Sequence, residues 1–267
     1  MVRRFPILAQ GLRDRRRSLV WWSLGIAVYI AIIASVWPSM AKTDISGLID
    51  QLPQAFLELM GAADYSMSTG AGYVSGELFG FMIPIFILVL TIGAGGAAIG
   101  GAESSGTLDL VLSHPITRRR VLLQSAALIA IEAVVFGAVI VLALTIASPL
   151  ADLQVSFTNA VGAVAGIVLL GVALGWLALA LGAATGSRGL ALGLSGALAA
   201  LTYLLGNLSG LVSFLRWGKW ASPFWYATNG SPLEHGYVWW HALPLLGTGA
   251  VFLLVGSILF ERRNLSS

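Results

Sequence analysis

Apolar and polar residues fall in long blocks along the chain. Six apolar runs lie at about residues 19–37, 78–101, 121–147, 157–185, 190–214 and 241–260. Each is close to or above the roughly 20 residues that a helix needs to cross a hydrocarbon core about 30 Å thick. The pattern predicts an all-α integral membrane protein with six transmembrane helices in a single transmembrane domain, residues 1–267, and both termini on one side. A basic arm, residues 1–18, precedes the first run.

The polar connectors set the orientation. Ser39 to Glu77 carries Asp44, Asp50, Glu58, Asp64 and Glu77 against a single Lys42, as an outer loop does. Its apolar piece Leu52–Met60 is too short to cross and suits the outer surface. If the termini are cytoplasmic, Arg3, Arg4, Arg13, Arg15, Arg16, Arg17, Arg118, Arg119, Arg120, Arg188, Arg262 and Arg263 all lie inside, leaving Lys42, Arg216 and Lys219 outside. That imbalance predicts cytoplasmic ends. Arg216 to Trp240 holds five of the nine tryptophans, broken by Pro223 and Pro232. It reads either as short interfacial or re-entrant helices or as an aromatic surface loop.

Glu103 to Arg120 is the most polar connector on the inner side. Leu108, Val111 and Leu112 form one strip of a short helix, which Ser113-His114-Pro115 cannot continue. Thr117 caps the next helix, and Arg118 to Arg120 mark the inner face. From these residues alone the connector fits a docking helix or an ordinary hairpin with a positive anchor. The residues Glu103, Gly106-Thr107-Leu108, Leu110, Leu112-Ser113 and Pro115-Ile116-Thr117-Arg118 resemble the loop after the second span in permeases of the ATP-binding-cassette (ABC) type-2 exporter family. Ser104, Ser105 and Ser125 stand where that family often has charged residues, and the closing F-E-R-R-N-L has Asn264 in place of the usual acid.

That resemblance implies a permease subunit whose Glu103–Ser113 segment is a helical lever seated on an ATPase. The coupling residues it implies are Glu103, Gly106, Thr107, Leu108, Leu110, Leu112, Pro115 and Arg118. It implies two cytoplasmic ABC ATPase subunits, a second copy or a homologous permease, export across the cytoplasmic membrane of a prokaryote, and an interfacial helix within the arm. ATP and Mg would sit on the partner, with no cofactor in this chain.

Composition narrows the chemistry. The chain is 57% hydrophobic and 10% charged, beyond the range of soluble domains. Without cysteine it has neither disulfides nor thiolate sites. His114, His235 and His241 are scattered, no G-x-x-x-x-G-K-[ST] occurs, and Gly93-x-Gly95-x-x-Ala98 lies in an apolar run without a βαβ unit. A metal centre and ATP hydrolysis by this chain therefore find no support. A secretory signal is the weaker reading of the first run, which is long and flanked by Trp21, Trp22 and Trp37. Nucleic acid is the weaker partner for the arginines, and membrane lipid the better one.

Within the runs, Glu132 is the one acid placed near mid-membrane, so it reads as a pathway residue or as a packed carboxyl bonded to another helix. Tyr203 and Asn207, one turn apart, read as its partners, as lining of a route, or as interhelical bonds. Gly162/Gly166, Gly171/Gly175 and Gly182/Gly186 read as close packing. Scarce intramembrane charge points to an apolar or amphipathic cargo. Two rival classes stay open at this stage: an ion-coupled carrier or channel using Glu132, and an intramembrane enzyme.

Overall fold

The computed structural model describes residues 6–42, 53, 56–57, 65–66, 68–107, 116–209 and 213–263. Among them there is no strand, and six helices are long and apolar enough to cross a membrane. These are α1 (Pro6–Met40), α2 (Gly70–Ser104), α3 (Arg118–Leu150), α4 (Phe157–Thr185), α5 (Arg188–Leu208) and α8 (Ala242–Arg262). Two short helices, α6 (Pro223–Thr228) and α7 (Pro232–His235), join α5 to α8. The outer-surface piece Leu52–Met60 lies largely outside the described residues.

The most buried of the six is α4, which packs against α2, α3, α5, α8 and both short helices. Small residues make that central position possible. A Cβ added to Gly95 of α2 would strike the Gly175 carbonyl of α4, so the two backbones touch where glycine faces glycine. Trp176 of α4 donates its indole N–H to the Ala126 carbonyl of α3 at 3.0 Å, so its polar atom is satisfied inside the bundle. By contrast α1 is peripheral. It buries Ile26, Ile30, Ala34 and Trp37 on one stripe and exposes Val20, Trp21, Leu24, Val28 and Ile32 on the other.

Three boundaries differ from the sequence reading. The arm is no separate interfacial helix, since α1 is continuous from Pro6 and the arginines ride on its first turns. Arginine is a good helix former, so charge alone does not interrupt the helix. At the start of α2, the helix begins at Gly70, capped by Thr69, whose side chain accepts the Gly72 N–H at 3.0 Å. Glu77 faces outward and exposed while Ala71 to Gly76 are buried, so one acid on the wet side does not mark the end of a loop. The fifth span ends at Leu208, not 214, and a 3₁₀ segment follows at Ser213–Ala221.

The short helices turn back along α5. Ser222 donates to the Thr202 carbonyl at 2.6 Å, six residues before the end of α5, so the chain dips about 9 Å alongside it. Ser222 also accepts the Trp225 N–H, which caps α6 ahead of Pro223. The aromatic segment thus folds as short helices packed beside α5 rather than as an irregular loop. At the opposite end Gly186 takes a left-handed conformation, φ +68°, that terminates α4. Ser187 immediately caps α5 by accepting the Leu190 N–H, so one helix stops and the next starts within two residues.

Candidate functional site

Two ion pairs occur among the described residues, and each ties together helices distant in sequence. The first joins α1 to α3. Arg15 Nη1 donates to Glu132 Oε2 at 2.7 Å, and Glu132 is 2% exposed. Two turns below, Gln124 Oε1 accepts the N–H groups of Ile7 (3.1 Å) and Leu8 (3.3 Å), capping α1 from outside its own sequence. Between them Gly11 lies against Leu128. The steps Ile7, Gly11, Arg15 and Gln124, Leu128, Glu132 are each four residues, so two parallel helices meet stripe to stripe.

The second cluster lies where α2 and α4 end, α3 begins and α8 ends. Arg263 grips Glu103 with both guanidinium nitrogens, Nη1 to Oε2 at 2.9 Å and Nη2 to Oε1. The same Nη1 donates to the Ala183 carbonyl of α4 at 3.2 Å. Arg118, first residue of α3, donates to the carbonyls of Phe260 (2.9 Å) and Arg263 and sits 5.6 Å from the Phe260 ring centroid. Glu103 is on the last turn of α2, which closes at Gly106 with φ +68°. There the Thr107 N–H reaches the Ala102 carbonyl (2.8 Å) and the Gly106 N–H reaches that of Glu103 (2.9 Å), a Schellman closure. This corrects the lever segment: Glu103 to Ser105 finish the second span, and Gly106 is a helix stop rather than a helix interior.

Between α2 and α5 runs a groove of about 770 Å³ lined by Phe81, Pro84, Leu88, Leu192, Tyr203 and Phe224 among others. Apart from Tyr203, every lining side chain is apolar. Pro84 has no N–H to offer the Gly80 carbonyl four residues back, and the Tyr203 hydroxyl donates to that carbonyl at 3.2 Å. Phe81 and Phe224 meet the Tyr203 ring edge-on with centroids at 5.7 and 5.3 Å. The groove thus presents an anchored aromatic wall.

A model of the family described as ABC-2 family transporter protein matches residues 5–265. The chain belongs to that family. It is a multi-pass membrane protein and the permease component of an ABC transporter, a transport subunit of the kind that generally works with an ATPase. No curated protein matches the sequence.

Within this ABC-2 permease, the residues singled out by sequence separate into three places. Glu103 and Arg118 meet at the end of α8, with Gly106 and Thr107 just beyond α2. Leu108, Leu110, Leu112 and Pro115 lie outside the described residues. Tyr203 lines the groove, whereas Glu132 and Asn207 do not. Glu132 lies instead in the α1–α3 contact, with Arg15 rather than Tyr203 or Asn207 as its partner.

Arg15, Gln124 and Arg263 are the residues that sequence reasoning passed over. A signal for the first two existed: Gln124 and Glu132 fall eight apart on one stripe of an otherwise apolar helix, which demands polar partners from a neighbour.

Near the far end, His241 is buried among Trp225, Tyr226, Tyr237 and Trp240, with ring centroids 4.4 to 6.2 Å away. Among the described residues no three of His, Asp, Glu and Cys group as metal ligands would.

Proposed function

We propose that the chain is half of an ATP-driven exporter that moves an apolar or amphipathic compound out across the cytoplasmic membrane of a prokaryote. The groove between α2 and α5 carries this reading. Its volume, about 770 Å³, falls within the range of small-molecule sites, and its walls are hydrocarbon and aromatic with one hydroxyl. An ionic cargo would find no counter-charge on that lining. Closure with a second copy, or with a homologous permease, would turn the open groove into an enclosed passage.

Energy would come from two cytoplasmic ATPase subunits holding ATP and Mg. Their movement would enter through the connector between α2 and α3, whose described ends carry Glu103, Gly106, Thr107 and Arg118. The arginine distribution supports placing that connector and both termini in the cytoplasm. Glu132 as a coupling carboxylate is disfavoured by its bond to Arg15.

The test is purification from native membranes followed by labelling. An ATPase subunit should accompany the chain, and Thr107→Cys, in a protein with no other cysteine, should resist membrane-impermeant thiol reagents applied to intact cells. Labelling from outside would overturn the orientation and the coupling scheme with it. In vesicles, Tyr203→Ala should change the range of lipophilic dyes that ATP drives across; an unchanged range would remove the groove from the route.

A further inference from the structure

We propose that Arg263 is a positioning residue that carries movement of the α2–α3 connector into α4 and α8. The inference rests on the transport reading above and goes beyond it, because neither the connector nor its flanking helices contain this residue.

The geometry is that of a junction. Two residues that flank the connector, Glu103 at the end of α2 and Arg118 at the start of α3, both bind Arg263, one at its guanidinium and the other at its carbonyl. The same guanidinium holds the last turn of α4 through Ala183. The inner turn between α4 and α5 closes the arrangement. A Cβ on Gly186 would collide with Arg263 Nη2 and the Glu103 carboxyl, so the turn leaves room for the pair and for nothing larger. Every span except α1 therefore ends at, or turns beneath, one residue.

A fork of two parallel bonds also transmits direction, which apolar packing does not. Apolar contacts such as those among Ile99, Leu179 and Phe260 have no preferred direction and resist sliding of one helix past another less than a paired charge does. The Arg263–Glu103 fork lets the helix end shift only if its partner shifts too. With side chains 19% and 15% exposed, the pair is sheltered enough to hold and close enough to water to form without a deep burial penalty. A displacement of the connector that pulls either Glu103 or Arg118 is thus delivered to the C-terminal end of α8 and, through Ala183, to α4.

The test uses single spin labels in the complex purified with its ATPase, since the chain has no native cysteine. Leu243→Cys reports on α8 and Leu150→Cys on α3, both exposed at the far end, and mobility is read before and after trapping with ATP and vanadate. Both labels should respond in the parent protein. Arg263→Gln keeps the Arg118 bonds, which end on backbone carbonyls, and removes the fork to Glu103 and the bond to Ala183, so the α3 label should still respond while the α8 response falls to about half or less, and Arg263→Lys should restore part of it.

A merely structural arginine would lower thermal stability yet leave the α8 response intact, and that result overturns the proposal. Should Arg263→Gln fail to accumulate, Glu103→Gln decides on the same readout, because it keeps the bond to Ala183. No response at either label in the parent complex would instead remove the transport reading itself.

Discussion

Removing Arg15 should cost more than neutralising the acid it pairs with. Glu132 is 2% exposed, accepts from Arg15 at 2.7 Å, and has no second hydrogen-bond partner for Oε1 among the described residues. Arg15→Ala leaves a carboxylate stranded in the α1–α3 contact. Stranding a buried charge costs about 3–5 kcal/mol, and the lower figure applies because Arg15 is itself 32% exposed and partly screened by solvent. Glu132→Gln keeps the shape and an acceptor for the guanidinium, so about 1 kcal/mol is expected.

The loss should be local, because α1 is peripheral and its first turns hang on Gln124 and Glu132. Amide exchange over residues 6–20, measured by mass spectrometry in nanodiscs, should accelerate by roughly 150-fold in Arg15→Ala, the equivalent of about 3 kcal/mol. Glu132→Gln should change it by less than about tenfold. Adding Glu132→Gln to Arg15→Ala should recover much of the protection, since the stranded charge is gone. Equal exchange in Arg15→Ala and the parent, or a double variant worse than Arg15→Ala, would refute the pairing as the arm's anchor.

Two further outcomes follow from packing and burial. Gly95→Leu should lower thermal stability by about 3 kcal/mol or more, because even its Cβ would lie 2.8 Å from the Leu179 N and closer still to the Gly175 carbonyl; a neutral result in a thermal melt would contradict the α2–α4 contact. Burial pushes the Tyr237 phenol up to about 12 from its ordinary 10.0. The unfolded chain then ionises first, so this residue's contribution to stability is whole below pH 10 and is lost as pH rises toward 12. Because its hydroxyl is buried without a partner among the described residues, Tyr237→Phe should be neutral or slightly stabilising at pH 7 and should melt higher than the parent at pH 11. A variant that melts lower at both values would mean that the hydroxyl has a partner.

The membrane-crossing pattern was legible because lipid imposes it on every residue of a span, and a block of leucine, valine and alanine can do little else. Boundaries were less so. Glu77 looks like the end of a loop in one dimension, yet on a helix it needs only one wet face, and Ala71 to Gly76 are buried beneath it. The arginines of the arm likewise do not tell a free tail from the first turns of a long helix. The family resemblance placed Gly106 inside a helical lever, whereas its positive φ and the two backbone bonds around it make it a stop. Long-range partners are harder still. Arg15 and Glu132 are 117 positions apart, and nothing local in either segment names the other.

The matched stripes on α1 and α3 also restrict how this permease can change shape. Moving the first span along its axis by one turn would set Arg15 beside Leu128 and take the N-terminal amides away from Gln124 in the same stroke. A piston motion of these two helices against each other is therefore closed to the protein. They form a single strut that can lean or swivel, and any opening has to be taken up at its other seams.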